Sequence, residues 1–101
     1  MRDLAVTYDR LGRLYDQTAE SIGTERRWQY VGAKGRATAV LMLDLLHHVV
    51  DVDHEPPSAH ELATATFRAA EALGYAPGDG NVDQIAGFHA LAEALIAEVT
   101  A

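Results

Sequence analysis

The stretch VLMLDLLHHVVDVDHEPP, residues 40–57, decides the fold. Between Val40 and Val52 only Asp44, His47, His48 and Asp51 interrupt a run of aliphatic side chains. Pro56 and Pro57 then close the segment, because the residue before a proline avoids helical backbone angles. Read as a helix, the segment extends back to about Glu25 and ends near Val52 or Asp53, which is long for a chain of 101 residues. At ~100° per residue, with Asp44 set at zero, Asp51 falls near −20°, His48 near +40° and His47 near −60°. The remaining arc, roughly 200° wide, is apolar and includes Leu41, Met42, Leu43, Leu45, Leu46, Val49, Val50 and Val52. A surface helix needs a stripe of only ~100°. Such a helix is either the central element of the monomer, flanked on both sides, or it meets a second subunit. We expect a homodimer that pairs these second helices.

The flanking segments are helical on their own punctuation. Leu4, Tyr8, Leu11, Tyr15, Thr18 and Ile22 recur three or four apart, and Asp9 and Arg13 stand at the spacing of an exposed i,i+4 pair. Gly23 offers a stop to this first helix, and Thr24 a cap for the second. After the prolines, Ser58 and Glu61 form a capping box that opens a third helix, with Leu62, Ala63, Thr66, Phe67, Ala70 and Leu73 on its buried side. Gly74 closes it, and YAPGDGN (residues 75–81) reads as a loop whose Asn81 caps a fourth helix lined by Ile85, Phe88, Ala92, Leu95 and Val99. No segment alternates with period two. The expected fold is therefore all-α, an antiparallel up-down four-helix bundle with a long central second helix, forming one domain over residues 1–101.

Composition narrows the function classes. With no cysteine, disulfides, thiolate metal sites and cysteine nucleophiles are excluded. The segment MRDLAVTYDR lacks the apolar core of a signal peptide, and the longest apolar run falls short of the ~20 residues of a membrane span. A soluble cytoplasmic protein with no membrane partner is the expectation. The net charge of −7 repels phosphate backbones, and Arg68 is the sole base in residues 58–100, so nucleic acid is a poor partner and a helix-turn-helix reading of that half fails. The charge is also unevenly placed: residues 1–36 hold seven bases against five acids, whereas residues 37–101 hold one base against ten acids. That asymmetry permits complementary self-association.

The candidate chemistry lies mainly on the polar face of the second helix. His47 with Asp51 has the spacing of a general base oriented by a carboxylate, and His48 is the adjoining catalytic candidate. Asp44, His48 and Asp51 have i,i+3 and i,i+4 spacings that let neighbouring side chains reach one ion, but a zinc site would need further ligands from His60, Glu61, His89 or Glu93. His47 and His48 point ~100° apart and do not readily share a site. The preferred reading of this face is a solvated strip, with no metal site. Its histidines, set among carboxylates near a helix C-terminus, would also make a patch that protonates readily. No cofactor is required by any motif. A separate ligand or interface candidate is Arg27, Trp28 and Tyr30, where guanidinium and aromatic side chains suit an anionic or planar ligand, with core packing the better account of Trp28. Gly32 and Gly35 weaken the second helix, which a kink or a close crossing against Gly12 would explain. The functional expectation is association with itself, a partner or a small ligand, and the alternative is a small bundle enzyme using the histidine–aspartate face.

Overall fold

The computed structural model describes residues 8–22, 33–74 and 82–100. These form four helices: α1 (Tyr8–Ser21), α2 (Ala33–Asp53), α3 (Ala59–Ala72) and α4 (Val82–Thr100). No strand occurs among the described residues. Helix α2 packs against α1, α3 and α4, while α4 also packs against α1 and α3. The start of the second helix before Ala33, the Thr24 and Asn81 caps, and the first turn of the first helix lie outside the described residues.

The core follows the apolar periodicity. Leu11, Leu14, Tyr15 and Ala19 of α1 meet Ala39, Met42, Leu43, Leu46 and Val50 of α2, with Leu62 and Ala63 of α3 and Phe88, Leu91, Ala92, Leu95 and Val99 of α4. Burying one such aliphatic or aromatic side chain contributes about 1.5–3 kcal/mol, so this single cluster supplies the main drive to fold. Phe67 and Phe88 meet edge to face across α3 and α4, with ring centroids 5.7 Å apart. Buried Thr18 and Thr66 satisfy their hydroxyls locally by donating to the carbonyls of Leu14 and Leu62 one turn back. Arg10 of α1 donates to Glu98 of α4 through Nε at 3.1 Å and also through Nη2, tying the outer edges of these helices together.

Helix ends show where sequence signals hold and where they shift. The Ser58 hydroxyl accepts from the Glu61 amide at 3.1 Å, as its N-cap position requires. Helix α2 stops at Asp53, before the prolines act, because His54 adopts a left-handed φ of 60° and its amide closes onto the Val50 carbonyl at 2.8 Å. Leu73, expected on the buried stripe, is instead 58% exposed. It is the C-cap of α3, and the chain turns away there through Gly74, at φ 78°. A Cβ built on Gly12 would meet nothing within 4 Å among the described residues, and Gly32, on the other side of the expected crossing, lies outside them.

Candidate functional site

The polar face of α2 divides along the helix axis. Asp44, His48 and Asp51 are exposed to solvent. His47 is part-buried, and its Nε2 is a buried atom with no hydrogen-bond partner. The helix places it one side of Asp51, toward the buried Leu43 and Val50, so it belongs to the boundary of the core rather than to the solvated strip. Among the described residues, no three histidine or carboxylate side chains converge as a metal-ligand set, and Asp44, His48 and Asp51 are not gathered around one point. Arg27, Trp28 and Tyr30 lie outside the described residues.

The structure does bring together one pair that the sequence spacing conceals. His60 at the start of α3 and His89 of α4 lie with ring centroids 5.7 Å apart and planes tilted by 30°. Only the packing of α3 on α4 creates this proximity, and no local motif signals it.

Two surface grooves flank α2. The larger, about 540 Å³, lies at the corner between α2 and α3. Its floor is Leu45, Val49, Leu62, Ala65 and the two prolines, and its rim carries Asp53, Glu55 and Glu61. The smaller, about 370 Å³, runs between α1 and α2. Leu11, Gly12, Tyr15 and Asp16 form one wall, and Arg36, Ala39 and Val40 form the other. Burial pushes the Tyr15 phenol up to about 12, with Arg36 pulling it down and Asp16 adding a little to the rise. Arg36 and Asp16 thus bring opposite charges to the lining of one groove. None of His47, His48, Asp44 or Asp51 lines either groove.

Chemically, the α2/α3 groove suits an apolar group carrying positive charge. The α1/α2 groove is locally balanced, with one guanidinium and one carboxylate around an apolar floor. Comparison with protein-family models, curated proteins and solved structures finds no match, so the reading of these sites rests on their chemistry. None of the helices among the described residues is long and apolar enough to cross a membrane.

Proposed function

We propose that this chain is a small acidic helical bundle that acts by association, with a second copy of itself and with a partner or small ligand, rather than by catalysis. Its helices run up, down, up and down as one domain over residues 1–101, with α2 as the long central element. It works in the cytoplasm, away from membranes and nucleic acid. Arg27, Trp28 and Tyr30 are its ligand-binding candidates.

One observation carries this proposal: α2 retains open apolar surface although three helices pack on it. Val40 is 37% exposed and Val52 62% exposed. Full burial of an aliphatic side chain contributes about 1.5–3 kcal/mol, so Val40 and Val52, partly exposed, each leave only a fraction of that for an interface to recover. A homodimer through α2 is the arrangement we favour.

The acid-base alternative draws support from the unpartnered Nε2 of His47. It is disfavoured because His48 and Asp51 face open solvent and the His47 nitrogen is covered, so a substrate has no enclosed volume in which to meet them. Native mass spectrometry of untagged protein purified without chelator tests the choice. A bare dimer is the expected result. A monomer carrying extra mass that is lost in His47→Ala or His48→Ala would overturn the proposal and make the histidine face the site.

A further inference from the structure

We infer that the groove between α1 and α2 is an isologous interface, occupied by the same groove of a second copy. This rests on the association proposed above and names its surface. The first support is steric. Gly12 sits mid-helix, where glycine weakens a helix relative to alanine, yet a Cβ there would meet nothing within 4 Å among the described residues. Val40, an exposed aliphatic side chain, lies on the other wall of the same groove. A two-fold axis along the groove carries the α1 wall of one subunit over the α2 wall of the other. Val40 then enters the space above Gly12 of the partner, and does so twice by symmetry.

The second support is electrostatic. Asp16 stands on the α1 wall and Arg36 on the α2 wall, and neither forms an ion pair among the described residues. The same axis sets each Asp16 against the Arg36 of the other subunit, giving two complementary contacts. Self-association of a chain with net charge −7 is opposed wherever acids dominate the surface. The α1/α2 groove is lined by one base and one acid, Arg36 and Asp16, so two copies of this face meet with balanced charge. The larger α2/α3 groove fails this criterion, because a two-fold contact there would oppose Asp53, Glu55 and Glu61 with their own copies.

Sedimentation velocity of the full chain over a wide concentration range tests the interface, with circular dichroism reporting that each variant folds. Asp16→Arg and Arg36→Asp, both at exposed positions, should each weaken the dimer at least roughly tenfold. The double variant Asp16→Arg/Arg36→Asp should restore it, because the charges are exchanged rather than lost. Gly12→Leu, at an exposed position where a Cβ meets nothing within 4 Å among the described residues, should leave the monomer folded and abolish the dimer. A wild-type dimer that all these variants leave intact, or one that the charge exchange fails to restore, overturns this interface while the association proposal stands. A wild-type chain that remains monomeric overturns both.

Discussion

Replacing His47 with leucine should stabilise the protein, although the change removes a histidine from what the sequence presents as a polar face. The His47 Nε2 is buried without a hydrogen-bond partner. A buried polar atom left unsatisfied costs about 1–3 kcal/mol, and replacing it with an apolar group of similar size removes that cost. Because His47 is only part-buried, the lower end applies, and we expect a gain of about 1 kcal/mol. For a domain near this size that corresponds to a rise in Tm of roughly 4–8 °C. Urea denaturation at neutral pH, followed by far-ultraviolet circular dichroism, would measure it as a higher midpoint at unchanged slope. His48→Leu serves as the control: its side chain is exposed, so its effect should stay within about 0.5 kcal/mol. A destabilisation of 1 kcal/mol or more by His47→Leu would refute the reasoning, because it would mean that the imidazole nitrogen has a stabilising partner.

Other consequences follow from particular residues. Desolvation raises the Tyr15 phenol from 10.0 to about 12 in the folded state. Its contribution of about 2–3 kcal/mol is therefore complete below pH 10 and is lost as pH rises toward 12; Tyr15→Phe should flatten alkaline unfolding across that window. Hydrogen bonding from Arg10 holds the Glu98 carboxyl below its ordinary range, opposed by desolvation and aided by the guanidinium charge. The stability from this pair is present above the ordinary carboxylate pKa and is lost as pH falls through the lowered one, so Glu98→Gln should reduce the acid sensitivity of unfolding. His54 bears a side chain in the left-handed region at a cost of about 1–2 kcal/mol. His54→Gly should accordingly raise stability by about 1 kcal/mol in the same urea assay, and His54→Ala, which keeps a Cβ, should not.

How far the sequence reveals the fold depends on whether each signal is local. The Ser58–Glu61 cap is legible because both partners lie within one helical turn, and the structure places the hydroxyl on the amide as the motif demands. The apolar stripes are legible for the same reason: Leu11, Tyr15, Leu62, Phe88 and Leu95 are all buried. Local periodicity does not show where a stripe ends, which is why Leu73 looks like a core residue and proves to be an exposed cap. It places the end of α2 at Val52 or Asp53, and the structure ends the helix at Asp53, but the stop that the sequence credits to Pro56 and Pro57 is made first by the left-handed turn at His54.

The candidate sites were less legible because they depend on which helices meet. A helical projection groups His47 with Asp44, His48 and Asp51, but neighbouring elements cover its Nε2 and leave the other three in water. The wide apolar arc of α2 admits two explanations from sequence, and packing by α1, α3 and α4 accounts for most of it. Of that arc Val52 stays exposed, whereas Val40, also exposed, projects at about −40° onto the polar face. The His60–His89 contact and the walls of the α1/α2 groove join residues far apart in the chain, and spacing rules do not reach across such distances.

The most direct test of association as the protein's mode of action is sedimentation equilibrium of the wild-type chain from low to high micromolar concentration. The account predicts a reversible approach to twice the mass of the 10.9 kDa chain. A mass that stays at one chain throughout would contradict it and leave the open apolar surface of α2 without a partner copy.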